Sequence, residues 1–262
     1  MRLAYDDAGS GECVVLIHGH PFDRTLWEPQ LAALRGNFRV LAPDLRGFGR
    51  SPVTPGQVLM REYAADIGEL LSTLGIARAG AVGLSMGGLV AMELAAAAPE
   101  RYWALGLVAT TTEPPSPQDR RTRDARADAT ERDGMSVLVN YMHTGLYSPS
   151  CPPSVRARVD AMMYAAPPAG AAAALRGRAR RPDYRPLLAA LDIPALVVAG
   201  TADPWSDAAV TAAIVSSLRR PEVVTVAGAG HLPNLEAAEE FNQALLAFLS
   251  RHVPRDGTVR SA

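Results

Sequence analysis

The sequence predicts an α/β fold: a mostly parallel, doubly wound sheet covered by helices, with a helical cap inserted after one strand. Three observations predict it. Short, largely apolar runs recur at Cys13–Ile17, Phe38–Ala42, Ala79–Val82, Trp103–Val108 and Pro194–Ala199, and the unbroken run Cys13–Ile17 has the pattern of a strand buried on both faces. Helical stretches alternate with them, joined by connections long enough for crossovers. Between residues 112 and 186 strand signals vanish and prolines cluster, among them Pro114, Pro115, Pro117, Pro152, Pro153, Pro167 and Pro168. That stretch reads as helical and, as an insertion in an α/β chain, is expected over the ligand face. Residues 1–111 and 187–251 are thus expected to form the core, 112–186 the cap and 252–262 a loose tail.

Taken in order, Arg2–Asp7 can open the sheet before the turn Gly9-Ser10-Gly11. The run Cys13–Ile17 then leads into the loop His18-Gly19-His20-Pro21-Phe22. Glu28–Leu34 reads as a short helix with Pro29 in its first turn and Gly36 past its end. Phe38–Ala42 is the next strand, followed by the glycine-containing loop from Pro43 to Pro52. Met60, Tyr63, Ala64, Ile67, Leu70, Leu71 and Leu74 share one helical face, and Gly75 can close that helix. After the cap, Pro194–Ala199 runs into Gly200-Thr201-Ala202-Asp203-Pro204-Trp205. A helix over 208–218 and a strand at Val223–Val226 follow. Gly228-Ala229-Gly230-His231 then presents an imidazole from a glycine-rich loop. A last helix is predicted to bury Leu235, Phe241, Leu245, Phe248 and Leu249, and no internal repeat is found.

The chemistry centres on Gly83-Leu84-Ser85-Met86-Gly87, a serine between two glycines at a strand-to-helix turn. So abrupt a change strains the backbone at Ser85 and lifts its hydroxyl clear of the sheet. The glycines remove Cβ atoms that would collide across the turn. The N–H of Met86 then sits at a helix start, where a developing negative charge is favoured. The pentapeptide alone is short enough to arise by chance, so the remaining chain must supply a base, an acid and a second oxyanion donor.

Composition sets exclusions. A chain of 262 residues with 48% hydrophobic content can bury a large core as one domain. A formal net charge of -1 without long like-charge runs gives no basis for nucleic-acid or anionic-membrane binding. No apolar stretch approaches the roughly 20 residues of a membrane span, and the N-terminus lacks a signal h-region, so a cytoplasmic protein is expected. Cys13 and Cys151 have no metal-ligand spacing and are expected as free thiols. The chain contains no lysine, which excludes a Schiff-base lysine, a pyridoxal enzyme and a Walker A loop.

These motifs resemble those of the α/β-hydrolase superfamily along nearly the whole chain: the His18-Gly19 loop, the Asp44–Ser51 loop, Gly83-x-Ser85-x-Gly87, Gly200–Asp203 and Gly230-His231. The chain order Ser, Asp, His is itself characteristic. Gly-Leu-Ser-Met-Gly-Gly and Gly-His-Leu-Pro-Asn-Leu-Glu resemble the branch of enol-lactonases, small esterases and cofactor-free haloperoxidases. Epoxide hydrolases and haloalkane dehalogenases carry aspartate where this chain has Ser85, and are disfavoured.

The resemblance and the chemistry together assign roles. Ser85 is the expected nucleophile and needs a base, for which His231 is the candidate. Asp203 is expected to orient His231, with Asp207 and Glu113 as alternatives. The oxyanion donors are expected to be the backbone N–H groups of Met86 and His20, each worth roughly 3 kcal/mol in the transition state. His18 reads as structural, His143 as solvent-facing or touching substrate, and His252 has no role. Asp44 and Arg46 are expected to brace loops. Among the cap arginines, Arg120, Arg121, Arg123, Arg126, Arg176, Arg178, Arg180 and Arg181 could clamp a substrate carboxylate, although most are expected as solvated surface. An apolar pocket wall is expected from Phe22, Trp27, Tyr141, Met142 and Trp205, with Met86, Met162, Met163 and Tyr164 as further candidates.

The expected function is hydrolysis of a small-molecule carboxylic ester or lactone through an acyl-enzyme, with no metal or organic cofactor. The alternatives are cofactor-free perhydrolysis or halide oxidation, and a non-hydrolytic ligand-binding or tailoring protein on the same fold.

Overall fold

The computed structural model describes residues 1–254. Its centre is a seven-stranded sheet of β1 (Tyr5–Ala8), β2 (Cys13–Ile17), β3 (Arg39–Pro43), β4 (Ala79–Leu84), β5 (Tyr102–Val108), β6 (Ala195–Gly200) and β7 (Pro221–Val226). The spatial order is β1-β3-β2-β4-β5-β6-β7. β1 runs antiparallel to β3, and the other pairings are parallel. Strands β2, β4, β5 and β6 are buried at every position, as the unbroken apolar run of β2 predicts for that strand. At the two edges β1 and β7 alternate in exposure instead.

Two helix pairs flank the sheet: α1 (Glu28–Leu34) packs with α11 (Ala238–His252), and α2 (Met60–Thr73) with α3 (Met86–Ala97). The buried face of α2 is the predicted stripe from Met60 to Leu71, with Asp66 added to it by an ion pair to Arg46. Because β2 is flanked by β3 on one side and β4 on the other, the winding reverses at β2. Loops leaving β2 and β4 therefore border the crevice where open α/β sheets bind ligands.

Between β5 and β6 the chain forms five helices: α4 (Pro117–Asp133), α5 (Met135–Met142), α6 (Pro153–Ala165), α7 (Pro168–Arg178) and α8 (Arg185–Ala190). Each carries proline in its first turn except α5, where Gly134 separates it from α4. Ser116 caps α4 with Asp119 in a reciprocal box. α4 packs on α7 and α5, and α5 on α6.

After β6 come α9 (Ala208–Ser216) and the short α10 (Pro233–Glu236). Leu235 therefore belongs to α10 rather than to the last helix, because the chain leaves helical geometry at Ala237. The last helix also takes in His252, which the expected tail includes. α11 continues through Arg251 and His252, both of which pair with Glu222 of β7 across the helix end. Residues 255–262 of the expected tail lie outside the described residues. Cys13 and Cys151 are buried free thiols. Among the described residues no helix is long and apolar enough to cross a membrane.

Candidate active site

Ser85 joins β4 to α3 with φ 54° and ψ -110°, a strained conformation for a residue with a side chain. Neighbouring elements hold it there: its N–H donates to the Val108 carbonyl at 2.8 Å, and the Ser85 carbonyl accepts from Thr110 Oγ1 at 2.7 Å. The glycines leave no room for alternatives. A Cβ on Gly83 would lie 2.0 Å from the Gly87 carbonyl oxygen, and one on Gly87 would lie 2.1 Å from that of Ile17. Between residues 79 and 92 only Ser85 escapes full burial. A second strained residue, Ala109 with φ 45°, ends β5 beside it. No sequence signal marked Ala109, since nothing local distinguishes it from the other small residues near a strand end.

Asp203 and His231, 28 residues apart, meet where the chain leaves β6 and β7. His231 Nδ1 lies 2.7 Å from Asp203 Oδ2. The Ser206 hydroxyl donates to the same oxygen, and the Trp205 N–H donates to Oδ1 at 2.8 Å. Burial alone would raise the Asp203 carboxyl, but the charge and hydrogen bond of His231, with those of Ser206 and Trp205, bring it below its ordinary value. Asp203 is therefore an ionised acceptor that fixes a proton on His231 Nδ1 and leaves Nε2 as the ring's free nitrogen. Ser206 was not anticipated, although a serine three residues after an aspartate is a common signal for such a local bond. The alternatives fall elsewhere. Asp207 caps α9 by accepting from the N–H groups of Ala209 and Val210, and Glu113 is an exposed partner of Arg185.

Ser85 and His231 line one cavity of about 340 Å³, together with His20, Ala109, Thr110, Thr111, Tyr141, Met142, Trp205 and residues of the five-helix segment. Of the residues expected in a pocket wall, Tyr141, Met142 and Trp205 line this cavity. Phe22 and Trp27 are not. Both are fully buried away from this cavity, Trp27 against Phe241 of α11, because composition alone cannot separate a pocket wall from a core. Met86, Met162 and Met163 are likewise buried and line no part of it, and Tyr164 is exposed.

The expectation of an apolar wall is also corrected. Four arginines, Arg123, Arg126, Arg178 and Arg181, line the cavity, and no aspartate or glutamate does. The other named cap arginines point outward: Arg176 pairs with Asp128 and Glu131, Arg180 with Asp124, Arg121 bonds Gln118, and Arg120 bonds the Pro115 carbonyl.

The loop after β2 closes another side. His18 is fully buried and structural: Nδ1 donates to the Gly19 carbonyl at 2.8 Å and Nε2 accepts from the Leu45 N–H at 2.9 Å. The ring of His20 reaches the Ala171 carbonyl of α7 at 2.9 Å, tying this loop to the five-helix segment. Burial holds both imidazoles below their ordinary pKa, and for His20 the Arg178 and Arg123 charges add to the effect. The N–H of Met86 is the first of α3 and has no intrahelical acceptor. Asp44 accepts from the Arg24 N–H and guanidinium and from the Arg50 N–H, and Arg46 pairs with Asp66, so both brace loops. His143 is exposed on Asp160, outside the cavity.

The model of the alpha/beta hydrolase family matches residues 14–244. The chain belongs to this family. The α/β-hydrolase is 32% identical over 234 residues to 3-oxoadipate enol-lactonase 1 of Acinetobacter baylyi, covering 87% of this chain and 84% of that one. Its fold superimposes with a TM-score of 0.94 on a thermophilic esterase from Thermogutta terrifontis solved with malate bound. The two are 38% identical, over 96% of this chain and 94% of that one. A bromoperoxidase from Bacillus anthracis gives a TM-score of 0.82 at 25% identity, over 95% of each chain. The α/β-hydrolase thus falls in the branch that holds enol-lactonases, esterases and bromoperoxidases.

Proposed function

We propose that this α/β-hydrolase cleaves a carboxylic ester or lactone through an acyl-enzyme on Ser85. The observation that carries the reading is that a strained serine and an aspartate-oriented imidazole both line one cavity. A serine hydroxyl is a weak nucleophile at neutral pH and needs a base as it attacks. His231 Nε2 takes that proton, while Asp203 stays ionised, holds the ring's tautomer and stabilises the imidazolium. The tetrahedral oxyanion accepts from the N–H groups of Met86 and His20. The imidazolium then protonates the leaving alkoxide, leaving Ser85 acylated. In the second half, His231 takes a proton from water, the hydroxide attacks the acyl carbonyl, and Ser85 Oγ leaves with the proton returned to it. For a lactone the alcohol stays tethered to the acyl group and departs with the acid.

The names of the enol-lactonase and esterase relatives support this reaction class. A screen of aliphatic esters and lactones by pH-stat tests it, with turnover abolished in Ser85→Ala. A second reading, perhydrolysis, is favoured by the structural likeness to the bromoperoxidase. In it, hydrogen peroxide replaces water in the second half and the product is a peracid. Peracid formation from acetate and peroxide faster than hydrolysis of any ester in the screen would favour that reading.

A further inference from the structure

We propose that the cavity takes an ester or lactone bearing a free carboxylate, which Arg123 and Arg178 hold beside the reacting carbonyl. The proposal rests on the Ser85 hydrolase reading and adds the charge and size of the substrate to it.

The first ground is the sign of the wall. Arg123 and Arg126 project from α4, Arg178 from α7, and Arg181 follows it, all into the cavity that holds Ser85 and His231. The same two helices show that the segment does not lack carboxylates. Asp124, Asp128 and Glu131 of α4 pair with Arg176 and Arg180 on the outer side. Among the described residues, none of the four inward arginines has a carboxylate within ion-pair distance. Arg181 spends its donors on the carbonyls of Glu113 and Arg178.

The second ground is what those cations lack. The Nε atoms of Arg123 and Arg178 are shielded from solvent and have no hydrogen-bond partner. Burial, and then repulsion from Arg123 and Arg181, pushes the Arg178 guanidinium well below its ordinary range. Burial pushes Arg181 down to about 10. A guanidinium keeps its proton at neutral pH, so the ligand-free protein carries partly buried, mutually repelling cations at a cost. An anion entering the cavity removes that cost. Arginine's planar fork fits the two oxygens of a carboxylate, and about 340 Å³ lies at the small end of ligand sites.

The third ground is position. His20 lines the same cavity as Arg123 and Arg178, so the carboxylate site adjoins the loop whose N–H is assigned to the oxyanion.

Two measurements test the proposal. The first compares kcat/KM for monoethyl succinate and ethyl acetate, and for acetoxyacetate and its ethyl ester, so that the carboxylate is tried on the acyl and on the alcohol side. One of the charged esters is expected to exceed its neutral counterpart by about 100-fold, mostly through KM. In Arg178→Met, and separately in Arg123→Met should the first fail to fold, the ratio is expected to fall to within about threefold of unity. The second measures melting of Ser85→Ala with millimolar succinate or glutarate. A rise in Tm is expected, and it is lost in Ser85→Ala/Arg178→Met. Because the second needs no turnover, a Tm rise without cleavage of any ester sinks the hydrolase reading and keeps the anion site. Neutral esters cleaved as well as charged ones, with Tm indifferent to dicarboxylates, overturn the carboxylate site. A Tm rise with inorganic phosphate but not with succinate overturns the choice of carboxylate.

Discussion

Trp205 stands edge-on to the imidazole of His231, with ring centroids 4.9 Å apart and planes at 77°. One residue therefore supports both partners of the hydrogen-bonded Asp203–His231 pair, since its backbone N–H also donates to Asp203. On its other side the ring stacks on Tyr141 at 5.9 Å, and Arg126 lies over Tyr141 at 3.3 Å from the ring centroid. The stack links the cationic wall to His231. Replacing Trp205 with alanine keeps the backbone donor but removes the support of the ring. A loss of about tenfold in kcat is expected, with Phe restoring most of it. Steady-state kinetics on both variants checks this, and a wild-type kcat in the alanine variant would remove Trp205 from the account.

The two neighbouring aspartates should separate cleanly. Asp203→Asn can present an N–H to His231 Nδ1 and stabilise the wrong tautomer, so kcat is expected to fall about 10⁴-fold with KM little changed. Asp207→Ala removes the α9 cap instead, costing about 1 kcal/mol of stability with kcat unaltered. Kinetics and urea denaturation of the pair read out the two effects.

That division was half legible in the sequence. Ser85, Asp203 and His231 each lie in a glycine-containing loop after a strand, and that pattern together with the family resemblance puts them forward as candidates. The direction of the cap arginines was not legible. Arg120, Arg121, Arg123 and Arg126 crowd two turns of a helix that is polar nearly all round, and no apolar stripe shows which side faces in. Trp27 and Phe22 fail for the converse reason, because a buried aromatic reads the same in a core as in a pocket. Arg251 and His252 pair with Glu222, 29 and 30 residues away, and periodicity cannot see such a partner.

Stability should fall below neutral pH through His18 and His20. Both are held below the ordinary value of 6.5 in the folded protein, so near and below pH 6.5 the unfolded chain binds protons that the folded one does not. Their contribution is therefore full above about pH 6.5 and is lost as pH falls from there toward the folded values. The slope is up to about 1.4 kcal/mol per pH unit for each histidine. Urea midpoints between pH 7.5 and 5 measure it, and a His20→Gln variant should show a shallower slope.

Arg178→Met should make the ligand-free protein more stable. Removing a partly buried cation that faces other cations, while keeping an apolar stem, is expected to raise stability by about 1 kcal/mol. The folded guanidinium titrates below the unfolded one, but both remain charged near neutrality, so the gain should be constant from pH 6 to 8. Calorimetry of the two proteins without ligand checks the sign.

The central claim is that Ser85 becomes acylated during turnover. Rapid acid quench of the protein with an ester that it hydrolyses, followed by peptide mass spectrometry, measures this directly. The expected result is the acyl mass on the peptide holding Ser85 within the first turnover, accumulating in His231→Gln only at a greatly reduced rate. An unmodified Ser85 throughout the time course, together with undiminished hydrolysis by Ser85→Ala, would contradict the account.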